Sequence, residues 1–72
     1  MRSFEYSFDG AEVTIKILSS SGSTICEAKF PTPAAASTYA VQDVNWHLGN
    51  HSQPLLEDAE KTNLVNLVAE NT

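Results

Sequence analysis

The chain reads as an α+β fold, a three-stranded antiparallel meander in order 1-2-3 covered on one face by two C-terminal helices (βββαα). Three observations predict it. Apolar residues alternate with polar ones on both sides of Asp9-Gly10, a third alternating run follows a serine-rich turn, and two helix-compatible stretches each begin near a proline. Alternation places every second side chain on one face of a strand, whereas helices need apolar residues three or four apart.

Phe4, Tyr6 and Phe8 alternate with Ser3, Glu5 and Ser7, and Val13, Ile15 and Ile17 alternate with Glu12, Thr14 and Lys16. Asp-Gly between such runs signals a hairpin, because a tight two-residue turn needs positive φ at its centre. That turn predicts Phe8 opposite Ala11, Tyr6 opposite Val13 and Phe4 opposite Ile15. The pairs Ser7–Glu12, Glu5–Thr14 and Ser3–Lys16 then share the other face. Such a one-sided sheet requires a cover.

The stretch Ser19-Ser20-Ser21-Gly22-Ser23 predicts a second turn, followed by a strand over Thr24-Ile25-Cys26-Glu27-Ala28-Lys29-Phe30. Pairing Leu18 with Ser23 sets Ile15 opposite Cys26, Val13 opposite Ala28 and Ala11 opposite Phe30. It also places Lys29 beside Glu12 and Ile25 beside Lys16 on the open face. Phe4, Tyr6, Phe8, Val13, Ile15, Ile17, Cys26, Ala28 and Phe30 are expected to point towards the helices.

Pro31-Thr32-Pro33 ends the third strand, with Thr32 as N-cap and Pro33 at the first helical position. The first helix is expected over Ala34 to Leu48, with Gly49-Asn50 as a left-handed stop and an apolar stripe of Ala40, Val41, Val44 and Leu48. Ser52 or Gln53 is expected to cap the second helix, with Pro54 in its first turn and Glu57 and Asp58 near its positive end. Leu64, Leu67 and Val68 form a stripe late in that helix, while Leu55 and Ala59 point elsewhere, which predicts a bend or break around Lys61-Thr62-Asn63.

Seventy-two residues allow one domain, residues 1–72. A chain of this size buries only about 60% of its unfolded surface. Its lone cysteine, Cys26, excludes an intrachain disulfide and reads as a small buried hydrophobe in a reducing compartment. No stretch is long and apolar enough for a membrane span, and MRSFEYSFDG lacks a signal-peptide core, so the expectation is a soluble cytoplasmic protein, including one carried by a phage or plasmid into a bacterial host.

Nine acidic and four basic residues give a net charge of −5 and a pI near 4.6. Between Lys29 and Lys61 there is no Lys or Arg, while Asp43, Glu57, Asp58 and Glu60 fall there. Direct nucleic-acid binding is excluded on this balance, since it needs a basic surface to displace counterions. The basic surface of a protein or nucleoprotein complex is the complementary partner. Acidity also keeps a small protein in solution without any partner.

Tyr39 and Trp46 lie seven residues apart on one side of the first helix with Asp43 between them, off the Ala40–Val44–Leu48 stripe. Exposed, they form an interface hot spot; covered by the second helix, they fill a minimal core. His47 and His51 have a metal-ligand spacing, but Gly49 interrupts the helix between them and Cys26 is the only other soft ligand, so no metal or cofactor is expected. A core-facing Cys26 is inert as a nucleophile. The run Glu57-Asp58-Ala59-Glu60 suits a partner patch or an ordinary solvated helix start.

The expected function is therefore a non-catalytic protein-binding module using Tyr39, Asp43, Trp46, Glu57, Asp58 and Glu60. Its most specific form is an inhibitor of a nucleic-acid-handling complex, of anti-CRISPR or anti-restriction type, with carboxylates in place of DNA phosphates. The other reading is an accessory or self-associating module, such as a homodimer, that uses the aromatic helix face or an edge strand.

Overall fold

The computed structural model describes all residues, Met1–Thr72, with strands β1 (Ser3–Phe8), β2 (Val13–Leu18) and β3 (Thr24–Phe30), then helices α1 (Pro33–Asn50) and α2 (Asp58–Asn71). The sheet is antiparallel with order β1-β2-β3. α1 packs on β3, α2 packs on β1, and the two helices pack on each other. This is the βββαα architecture that the alternation and the caps predict.

Both hairpins keep the predicted faces but shift their pairing by two residues. Phe8 pairs with Val13, Tyr6 with Ile15 and Phe4 with Ile17, so residues 9–12 form a four-residue connection in place of the tight turn. The Asp9 side chain explains the wider loop: its Oδ1 accepts the amides of Ala11 and Glu12 at 2.8 Å each, and Gly10 takes φ +90°. An Asx turn of this kind satisfies the loop backbone locally and removes the need for a two-residue turn. The same two amides hold the Asp9 carboxyl below its ordinary range.

In the second hairpin Val13 pairs with Phe30, Ile15 with Ala28 and Ile17 with Cys26. Gly22 at φ +91° donates to the Ser19 carbonyl at 2.9 Å, and the Ser19 amide reaches the Ser23 carbonyl at 2.8 Å. A turn followed by a left-handed glycine shortens the pairing to Leu18–Thr24 and leaves Ile25 as the extra residue of a bulge. Lys16 thus faces Glu27, not Ile25, while Lys29 still reaches Glu12, Nζ to Oε1 3.5 Å.

A shift of two preserves side-chain parity, so the core face survives. Val13, Ile15, Ile17, Cys26, Ala28 and Phe30 are buried against Ala36, Ala40, Val44 and Leu48 of α1, Leu64 and Val68 of α2, and Leu56. Phe4, Tyr6 and Val41 are half-buried, and Phe8, at the end of an edge strand with a neighbour on one side only, is 49% exposed. Phe8 therefore departs from the expected core set. Burial and a low-dielectric neighbourhood push the Cys26 thiol pKa up.

α1 starts as predicted, with Thr32 Oγ1 accepting the Ala35 amide at 3.1 Å and Pro33 in the first turn. Its end differs. Gly49 remains helical and the left-handed residue is Ser52 at φ 56°, with Gln53 N–H bonded to the Leu48 carbonyl at 2.8 Å and Ser52 N–H to the Gly49 carbonyl at 3.2 Å. This is a Schellman closure built on serine.

Neither Ser52 nor Gln53 caps a helix. Residues 53–57 are not helical because their backbone groups are engaged elsewhere: Asn45 Oδ1 accepts the Leu56 amide at 2.8 Å, and Arg2 takes the Pro54 and Leu55 carbonyls at 2.6 and 3.0 Å. α2 starts only at Asp58 with Glu57 as N-cap and runs to Asn71 without a break. The expected bend at Lys61-Thr62-Asn63 is absent because Leu55 and Leu56 precede the helix; within it Glu60, Leu64 and Val68 recur every fourth residue as one buried stripe.

Candidate partner-binding surface

The structure separates the six residues singled out from sequence into three groups. Tyr39 and Trp46 are 49% and 64% exposed, so α2 does not cover them. The side of α1 that meets α2 carries Ser37 and Val41, which with Val65 and Ala69 line the groove between the helices. At about 100° per residue, Tyr39 and Trp46 lie on the opposite flank, with Asp43 half-buried beside them. The Trp46 and His47 rings meet edge-on with centroids 4.9 Å apart.

Glu57 and Asp58 form the second group, exposed at the start of α2. Asn45 anchors the segment that leads to them, and Asn45 lies about 160° around α1 from Asp43. The chain therefore does not bring Asp43 together with Glu57 and Asp58 in one acidic patch.

Glu60 belongs to neither surface. It is 3% exposed, and its carboxylate accepts four hydrogen bonds: Oε1 from Arg2 Nη2 (2.8 Å) and the Glu57 amide (2.9 Å), Oε2 from Arg2 Nε (2.9 Å) and the Arg2 amide (3.1 Å). Hydrogen bonding from Arg2 lowers its pKa to about 2, against the opposing effect of burial, and reciprocally raises that of the guanidinium. As a partner contact Glu60 is thus a misassignment, because its charge is consumed inside the fold. Arg2 is the structural residue that local pattern overlooks. The available signal was its being the only arginine, with the Glu57-x-x-Glu60 spacing that lets an N3 carboxylate reach back to the N-cap amide.

Two of the nine carboxylates are paired in this way, Glu60 with Arg2 and Glu12 with Lys29, which leaves the surface strongly acidic. His47 and His51 meet only through backbone, the His51 amide donating to the His47 carbonyl at 3.1 Å. No three His, Cys, Asp or Glu side chains form a cluster that could hold a metal ion, and no helix is long and apolar enough to cross a membrane. The chain matches no family model, no curated protein and no solved structure.

Proposed function

We propose that this chain is a non-catalytic protein-binding module that engages its partner through the outer flank of α1, with Trp46 and Tyr39 as anchors and Asp43 as the polar contact between them. The observation that carries this reading is the 64% exposure of Trp46 on the same flank of α1 as Tyr39 at 49%. A tryptophan left on the surface beside a second aromatic and a carboxylate is the composition of an interface centre.

A second reading is favoured by the acidic surface. Here Glu57 and Asp58, with the other unpaired carboxylates, stand in for DNA phosphates and block the basic channel of a CRISPR or restriction complex. The two readings make opposite demands on one experiment. Under the first, Trp46→Ala weakens binding to a captured partner by about 2 kcal/mol or more, near thirtyfold, with little dependence on salt. Under the second, Glu57→Lys with Asp58→Lys abolishes binding, Trp46→Ala is mild, and affinity falls steeply between about 50 and 500 mM salt. Trp46 is exposed, so Trp46→Ala should keep the wild-type melting profile. Glu57 and Asp58 open α2, so their double variant should melt earlier. Its binding is measured below its own transition, where its circular dichroism matches the wild type and a loss of binding reads as a lost contact.

A further inference from the structure

β1 is the unguarded edge of the sheet. Along it the odd-numbered residues bond β2, a phase continued by the Asp9 amide donating to the Glu12 carbonyl at 3.4 Å. The amides and carbonyls of Phe4, Tyr6 and Phe8 therefore point away from the sheet. Arg2, next in that phase, has the same direction: its amide leaves the sheet and donates to Glu60 at 3.1 Å. No side chain reaches the three residues further along. The other edge, β3, carries the bulge, Glu27 and Lys29, and Pro31 just beyond it, devices that block strand addition. β1 has no proline, lysine or bulge.

Two adjoining clefts follow this edge. One lies between Ser3 and Phe4 of β1 and Asn63, Asn66 and Glu70 of α2; the other runs along Phe4–Ser7 with Lys16 of β2, and Leu67 of α2 borders both. Tyr6 lines the second, and its hydroxyl is shielded from solvent yet makes no hydrogen bond within the chain. A strand edge flanked by a helix is the geometry that accepts one extended peptide.

We propose that the β1 edge and the flank of α2 form a second binding site, separate from the α1 flank, for an extended segment in which apolar and basic residues alternate. Pleating dictates the alternation. Side chains on the helix side meet Phe4, Tyr6 and Leu67, with Glu70 bordering that side, and those on the open side meet Glu5, which no ion pair engages although Lys16 faces it from β2. A second copy of the domain fits poorly. Paired strands stand about 4.8 Å apart, and α2 rests on β1, so two copies would force their α2 helices inside the usual 8–10 Å separation.

The probe is acetyl-Val-Lys-Val-Arg-Val-Lys-Val-amide, with a control of the same residue order whose valine nitrogens are methylated and cannot donate to the edge. Amide exchange followed by NMR on the isotopically labelled chain reads the result. The plain peptide should slow exchange at Phe4, Tyr6 and Phe8 by about tenfold at tenfold excess over its Kd, and the methylated peptide should not. Phe8→Pro, which removes one outward amide at a half-exposed position, should weaken binding about fivefold. Equal effects from both peptides, no protection at millimolar peptide, shifts centred on Trp46, or protection that grows with protein concentration alone, as a second copy on the edge produces, would each overturn the assignment. The peptide comparison needs no variant, so it decides even if Phe8→Pro fails to fold.

Discussion

Replacing Glu60 with Gln tests how much one ion pair contributes to so small a fold. The pair is shielded, with Arg2 and Glu60 side chains 12% and 3% exposed. The Glu60 carboxyl falls from an ordinary 4.5 to about 2. At about 1.4 kcal/mol per unit, this corresponds to roughly 3 kcal/mol of stability at neutral pH. A domain of this length is expected to have about 4–11 kcal/mol in total, so the variant should lose a large fraction of it. The sign follows from the lowered pKa. The contribution is complete above about pH 4.5, where folded and unfolded carboxyls are both ionised. It declines as pH falls towards 2, because the unfolded chain takes up the proton first. Urea denaturation followed by circular dichroism at several pH values measures both proteins, and their difference isolates Glu60 from the other carboxylates. The gap between them should be near 3 kcal/mol at neutral pH and close as the solution is acidified through that window. Parallel pH profiles for Glu60→Gln and the parent would refute the reasoning.

Three further outcomes follow from the helix end and from the core. Gly49 is helical with open space where a Cβ would stand, so Gly49→Ala should stabilise by about 0.5–1 kcal/mol in thermal unfolding, whereas a left-handed stop there would make it destabilising. Ser52→Gly should also stabilise, by about 0.5 kcal/mol or more, since serine occupies φ 56°. Cys26, 7% exposed with a thiol pKa raised by burial, should react with a soluble disulfide reagent only as fast as the chain opens, so its labelling rate should rise with denaturant in step with unfolding.

The faces of the sheet were legible because period two survives a slip of two: Val13, Ile15 and Ile17 stay inward in either register. The register was not, because the choice between a tight turn and a wider one rests on the Asp9 carboxylate and its two amides. Thr32-Pro33 marked its helix start correctly, since a cap is a local device. The second helix was misplaced because Pro54, Leu55 and Leu56 give their backbone bonds to Arg2 and Asn45, partners remote in sequence. For the surface, helical periodicity placed Tyr39 and Trp46 off the buried stripe. Whether α2 covers them depends on which side of α1 it docks, and that is decided by β1 and the groove at Val41. Glu60 was misread for a related reason: an acidic helix start looks the same whether its carboxylates face water or one distant arginine.

The contact between Arg2 and Glu60 joins residues 58 positions apart, whereas Phe8 and Val13 close a connection of four residues. Closing the longer loop costs about 2 kcal/mol more in chain entropy, so the hairpins have every reason to form first and the arginine clasp to come late. Until it closes, α2 is not held over β1, and the side chains of Phe4 and Tyr6 stand uncovered beside amides that stay free in the finished fold. The clasp thus acts on timing as well as on equilibrium. Weakening it lengthens the interval in which the aromatic side chains of β1 stand uncovered, so the loss of stability should be accompanied at high concentration by aggregation during refolding.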